Sequence, residues 1–168
     1  FGGSHLPDVT VISPIFVGKT LIGFVANRAH HAEIGGKTPG SMPPGARCLA
    51  EEGIVIPPTL YSEIGEGFFA ESRMPRDNEA DLAARVSANQ FGVKAMQNLA
   101  LSGDVSGFMK ALYERSAVIL RQSLAGLEQC TAEDQLDDGA VIKVVISSDE
   151  KLTVDFRGSA PTHPGNPN

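Results

Sequence analysis

Two groupings able to do chemistry lie in the first 36 residues of this 168-residue chain: the His-x-x-Asp pair His5 and Asp8, and the adjacent histidines His30 and His31. Two imidazole nitrogens and one carboxylate oxygen, with coordination positions left open, suit a divalent ion such as Zn²⁺, Mn²⁺ or Fe²⁺. Open positions let such an ion activate water or polarise a carbonyl. His5, Asp8 and His30 form the sharpest set of this kind. His31 is a candidate catalytic proton shuttle, because an ordinary imidazole titrates near working pH. The residues by themselves leave a structural alternative open, with His5 and Asp8 in an ordinary turn and the histidines merely hydrogen-bonded.

Positioning falls to one β-hairpin. An alternating run from Val9 to Phe16 is followed by a turn at Val17-Gly18-Lys19-Thr20 and a second apolar run from Leu21 to Asn27. Antiparallel pairing about Gly18 sets the start of one strand beside the end of the other, with residue 5 opposite about residue 31 and residue 8 opposite about residue 28. Adjacent side chains on an extended chain point to opposite faces, so only one of His30 and His31 easily joins His5 and Asp8.

Other polar residues are weighed beside these. Glu33 lies on the side of the chain shared with His31 and is placed to orient it. Arg28 suits an internal ion pair better than an anionic substrate. The loop Gly35-Gly36 to Gly45 has no nucleotide-binding spacing and reads as a tight turn more readily than as a phosphate cradle. Asn89-Gln90 interrupts an apolar stripe and needs partners in a neighbouring loop. Asp137 and Asp138 read as turn and N–H-capping residues, and His163 as solvated.

Extended stretches are expected at Gly53–Pro57 and Leu60–Ile64. From Glu79 the spacing of Leu82, Val86, Val93, Met96 and Ala100 predicts a helix, with Asp77 or Asn78 as N-cap and Gly103 as stop. A second helix starts at Asp104 or Ser106 and runs to Leu124, with the stripe Phe108, Leu112, Ile119, Leu120 and Leu124. The short link makes the helices antiparallel neighbours. The tail returns to β as a hairpin, Ala140–Ser147 and Leu152–Phe156, turning at Ser148-Asp149-Glu150-Lys151. The fold class is α+β: an N-terminal β-hairpin with a Gly/Pro-rich loop region, a central antiparallel helix pair and a C-terminal β-hairpin.

A formal net charge of −6 argues against nucleic acid as a partner. No apolar stretch reaches the roughly 20 residues of a membrane span, and no signal peptide is visible, so a cytoplasmic protein is expected. Cys48 and Cys130 lack metal-ligand spacing and read as buried free thiols. The chain opens on Phe1-Gly2-Gly3 and stops at Asn166-Pro167-Asn168, and both ends read as internal to a longer fold.

Several strings resemble the hydantoinase B/oxoprolinase family: Gly2-Gly3-Ser4-His5-Leu6-Pro7-Asp8-Val9-Thr10, Ala29-His30-His31-Ala32-Glu33-Ile34-Gly35-Gly36, and Pro39-Gly40-Ser41-Met42-Pro43-Pro44 followed by Glu51-Glu52-Gly53. Asp81-Leu82 through Ala88-Asn89-Gln90-Phe91-Gly92, then Asp137-Asp138-Gly139 and Asp155 to Pro161, follow in the same order. The resemblance implies that residues 1–168 are an internal portion of a hydantoinase B/oxoprolinase-like domain. It implies a B component of an ATP-dependent hydrolase of a small cyclic amide, 5-oxoproline or a hydantoin, working in an oligomer with an A-type subunit or domain that uses ATP. In acetone carboxylase relatives the matching residues bind a divalent metal, which implies that role for His5, Asp8 and His30. Glu33 stands where relatives often carry Asp. A ketone carboxylase subunit and a non-catalytic scaffold subunit are the alternatives, and neither nucleic acid nor membrane is expected as partner.

Overall fold

Alternation in the first run builds the ribbon that everything else packs on. In the computed structural model, which describes residues 5–148 and 151–162, β1 (Asp8–Val17) and β2 (Thr20–His30) pair antiparallel through a two-residue turn at Gly18-Lys19. Gly18 has φ 60°, the backbone that the first central residue of a tight hairpin turn requires. Even-numbered residues of β1 from Asp8 to Phe16 lie on one face. Val9, Val11 and Ile15 turn to the other, where Val9 and Val11 pack on the core and Ile15 is buried.

The register differs from the expected one. Ile15 pairs with Gly23 and Phe16 with Leu21, so Ile22 is an extra residue in β2. This bulge, together with the turn at Gly18-Lys19, brings Asp8 opposite His30 rather than residue 28. Residues 5–7 do not extend the strand. The His5 carbonyl accepts from the Asp8 amide at 3.3 Å, closing a turn.

The Gly/Pro-rich segment is irregular, as expected, and contains a short helix α1 (Leu49–Glu52). The extended stretch expected at Leu60–Ile64 is instead a 3₁₀ turn over Tyr61–Glu63, and Gly53–Pro57 forms no strand. Gly36 has φ 91°, and a Cβ there would stand 2.5 Å from the Glu52 carbonyl oxygen. This glycine loop therefore packs closely on the chain's own backbone.

Helix α2 (Pro75–Ser102) begins earlier than expected. Pro75 occupies the first turn, where its missing N–H costs nothing, and Met74, not Asp77 or Asn78, is the N-cap. The helix lies against the β1–β2 ribbon, and at Gly92 a Cβ would be 3.0 Å from Val25 Cγ1. Its buried residues are Asn78, Leu82, Arg85 and Asn89, spaced by four, three and four on one helical face. Val86, Val93, Met96 and Ala100 of the expected stripe are half-buried. The core cluster is Ile34, Phe69 and Leu82, flanked by Leu6, Val9, Val11, Ile54, Ile56, Ile64 and Phe68.

The chain divides into two compact units, the second comprising residues 104–164. Helix α2 belongs to the first and takes the ribbon as its partner. In the second unit, α3 (Val105–Leu124) starts at Asp104, whose Oδ1 accepts from the Gly107 amide at 2.9 Å. Its stripe is present, but α3 buries none of its residues. The tail is a three-stranded antiparallel sheet, β3 (Cys130–Gln135), β4 (Val141–Ser148) and β5 (Leu152–Asp155). The expected hairpin thus gains β3, whose residues are exposed throughout and carry no apolar alternation. Asp138 Oδ1 accepts from the Ala140 amide at 2.9 Å in the β3–β4 turn, the capping role expected of it. Residues 149 and 150 of the β4–β5 turn, His163, and the Gly2-Gly3-Ser4 string lie outside the described residues. Cys48 and Cys130 are free, but both are exposed rather than buried. No helix among the described residues is long and apolar enough to cross a membrane.

Candidate metal centre

The outward face of the ribbon's open end gathers His5, Asp8 and His30. The His5–Asp8 turn folds the first imidazole back over the strand end, and the ladder presents His30 across from Asp8. His5 Nε2 lies 3.1 Å from His30 Nδ1 and 3.6 Å from Asp8 Oδ2. His30 Nδ1 lies 3.5 Å from Asp8 Oδ1. One donor atom from each of the three residues falls within 4.8 Å of the others.

These separations come close to those of donors sharing one ion: the imidazole pair falls inside the expected range, and the two distances to Asp8, each to a different carboxylate oxygen, lie slightly beyond it. Two donors each about 2.1 Å from a common ion stand roughly 3.0–3.4 Å apart at octahedral or tetrahedral angles. Two neutral imidazoles and one carboxylate leave a divalent ion with net positive charge and vacant positions, the donor set of a reactive rather than a closed site. Arg28 Nη2 donates to Asp8 Oδ2 at 2.5 Å, the internal ion pair expected of it, at the same oxygen that lies 3.6 Å from His5 Nε2.

His31 is not brought into this trio. Its side chain is fully enclosed on the other face, its ring 5.6 Å from that of Phe69. Its backbone amide donates to the Pro7 carbonyl at 2.8 Å, continuing the ribbon past the last ladder pair. Asn78 Oδ1 lies 2.8 Å from His31 Nδ1, while Asn78 Nδ2 donates to the Glu33 carbonyl and to Ser72 Oγ, each at 2.8 Å. With both amide hydrogens committed, Asn78 offers His31 an acceptor, so His31 carries its proton on Nδ1. Burial lowers the His31 pKa below its ordinary value, outweighing the opposing hydrogen bond to Asn78. The shuttle expected from an ordinary imidazole thus meets a neutral, enclosed one.

Glu33 does not orient His31 either. Its buried carboxylate accepts from Arg73 Nη1 at 2.9 Å and from the Gly35 amide. Burial raises its pKa, but the Gly35 amide and the Arg73 guanidinium outweigh that and hold it below the ordinary value. Arg73 also donates to the Gly36 carbonyl at 2.7 Å, pinning the glycine loop.

Helix α2 supplies the polar support. Arg85 Nη1 donates to the Val9 carbonyl at 2.8 Å, and Nη2 donates to the Ala29 carbonyl. Asn89 Nδ2 donates to the Val11 carbonyl at 3.0 Å, and Asn89 Oδ1 accepts from Asn27 Nδ2 at 2.7 Å. Asn89 therefore finds the partners its position demanded, in the ribbon rather than in a loop, while Gln90 is exposed. The sequence reading missed Asn78, Arg85 and Arg73 as supporting residues. The available signal was that Asn78 and Arg85 share the helical face of Leu82.

The hydantoinase B/oxoprolinase family model matches residues 1–168. A 5-oxoprolinase of Saccharomyces cerevisiae is 36% identical over 201 residues, covering 99% of this chain and 15% of the relative. The 5-oxoprolinase 1 of Arabidopsis thaliana is 33% identical over 208 residues, covering 98% of this chain and 16% of the relative. The delta subunit of an acetophenone carboxylase from Aromatoleum aromaticum is 38% identical over 68 residues, 40% of this chain and 10% of that subunit. No solved structure matches. The chain spans about 15% of the length of the 5-oxoprolinases it resembles, and on the match along its whole length it belongs to the hydantoinase B/oxoprolinase family.

Proposed function

We propose that this chain contributes the metal centre of the B component of an ATP-dependent cyclic-amide hydrolase, with 5-oxoproline or a hydantoin as substrate. The observation that carries the reading is the convergence of His5, Asp8 and His30 donor atoms at separations close to those of donors sharing one ion. Similarity to 5-oxoprolinases along nearly the whole chain supports the substrate class. A divalent ion held there supplies a Lewis acid for a carbonyl oxygen or lowers the pKa of a bound water.

The chain's own residues do the rest. His5 and His30 offer one ring nitrogen each, side by side, and Asp8 adds a carboxylate that Arg28 holds through Oδ2. His31 serves as a strut, joining the ribbon end to α2 through Asn78. In this reading an A-type subunit or domain uses ATP to activate the lactam oxygen, turning a poor electrophile into a good one, and the assembly works in the cytoplasm.

The match to an acetophenone carboxylase subunit favours a second reading, an ATP-dependent ketone carboxylase with the same centre. The complete assembly, supplied with ATP and offered 5-oxoproline, hydantoins, or acetone with bicarbonate, tests both. Ring opening of a cyclic amide, lost in His5→Ala and Asp8→Ala, is the expected result. Carboxylation of the ketone selects the second reading. Full activity in both variants assigns the histidines a structural role and the chain a scaffold's part.

A further inference from the structure

We propose that Arg85 is a positioning residue for the metal centre: its guanidinium clamps the two strands at the ladder pair immediately inside the one that carries Asp8 and His30. The proposal rests on the metal reading above.

Val9 and Ala29 face each other in the ladder, and the next pair outward is Asp8 and His30. Arg85, buried on α2, donates to the carbonyls of both Val9 and Ala29. A single planar group with donors in a rigid fork thus sets the spacing of the two strands one residue from two of the three ligands. Geometry at this point matters because the ribbon is ending. Beyond Asp8 and His30, among the described residues, the cross-strand pairing continues through the His31 amide on the Pro7 carbonyl, and strand ends fray unless tied.

The helix contains its own control. Asn89, one turn further along the same face, bonds the Val11 carbonyl and Ser13 Oγ at 3.0 and 3.2 Å. It grips the ribbon as Arg85 does, but none of its partners adjoins a ligand. A role in stability is common to both residues; a role in setting the metal geometry belongs to Arg85.

The test uses Co²⁺ in the complete protein, reading affinity by titration and coordination by visible absorption. Arg85→Lys keeps the charge but replaces the planar fork with a shorter side chain ending in a single nitrogen. Co²⁺ affinity should fall about 10–100-fold, the usual cost of losing a group that orients metal ligands, with a changed absorption envelope. Asn89→Leu should lower the melting temperature and leave affinity and spectrum as in the wild type. Arg85→Gln, shorter and uncharged, serves the same test where the lysine variant does not fold. Wild-type affinity and spectrum in an Arg85 variant overturn the proposal, as does equal weakening by Asn89→Leu. A wild-type protein that binds no Co²⁺ through His5, Asp8 and His30 overturns the metal reading itself, and the proposal with it.

Discussion

Asp8 and His30 are direct cross-strand partners, with Asp8 Oδ1 3.5 Å from His30 Nδ1. The next residue, His31, faces the opposite way and is fully enclosed. One peptide bond thus separates a group that can hold an ion from one that holds the fold.

That division predicts unlike outcomes for two adjacent substitutions. His30→Ala should strip the metal while leaving folding nearly intact. His31→Ala should retain the metal and loosen the ribbon end, since it opens a cavity beside Phe69 and takes the imidazole from Asn78 Oδ1. Elemental analysis and the melting temperature of the two variants check this; metal loss in both or in neither contradicts it.

Asn78 links the His31 imidazole, the Glu33 carbonyl and the Ser72 hydroxyl, the last of which also accepts from the Met74 amide. Asn78→Leu, similar in size, takes this partner from the buried His31 nitrogen and the Glu33 carbonyl at about 1–3 kcal/mol per group, while Ser72 Oγ keeps the Met74 amide. Amides in the first turns of α2 and around His31 should exchange much faster by hydrogen–deuterium exchange. Unchanged protection there would contradict the strut role.

Gly36→Ala combines a strained φ of 91° with a Cβ 2.5 Å from the Glu52 carbonyl oxygen. The expected cost is about 1–3 kcal/mol for the backbone alone, with further loss as the Glu52-Gly53 segment is pushed away. A drop in melting temperature measures it. Gly40→Ala, where no atom stands within 4 Å of the added carbon, should cost less because only the backbone term applies.

The Glu33–Arg73 pair sets an acid dependence. The folded carboxyl has its pKa below the ordinary value of 4.5, so the unfolded chain takes up the proton at higher pH. The stability it contributes is therefore complete above that ordinary value and is lost as pH falls below it toward the folded value. Glu33→Gln should melt earlier at neutral pH and show a shallower decline on acidification. Parallel melting curves of the two proteins from neutral pH to below the ordinary carboxylate value would contradict the assignment.

Much of the site was legible because hairpins impose arithmetic: residues roughly equidistant from a two-residue turn must meet. That reasoning brought His5, Asp8 and a histidine of the pair together. It missed the register by two: one residue because the turn is centred between Gly18 and Lys19, and one because a bulge at Ile22 leaves no mark among apolar neighbours. The polar face of α2 was illegible for a different reason. Pattern reading sends Asn78 and Arg85 to solvent, whereas here they are buried against backbone carbonyls and polar side chains, which carry no hydropathy signal. Strand β3 escaped because Cys130–Gln135 is exposed along its length and so lacks the alternation that marks a strand. The stripe of α3 was read correctly as a pattern, yet a stripe announces an apolar face without saying what covers it.

Anomalous X-ray scattering from crystals of the complete protein, collected across the Mn, Fe and Zn edges, tests the central claim most directly. The account predicts one peak within coordination distance of His5 Nε2, His30 Nδ1 and the Asp8 carboxylate, absent from Asp8→Ala crystals. Metal-replete crystals with no peak there, or with a peak bound by other residues, would contradict it.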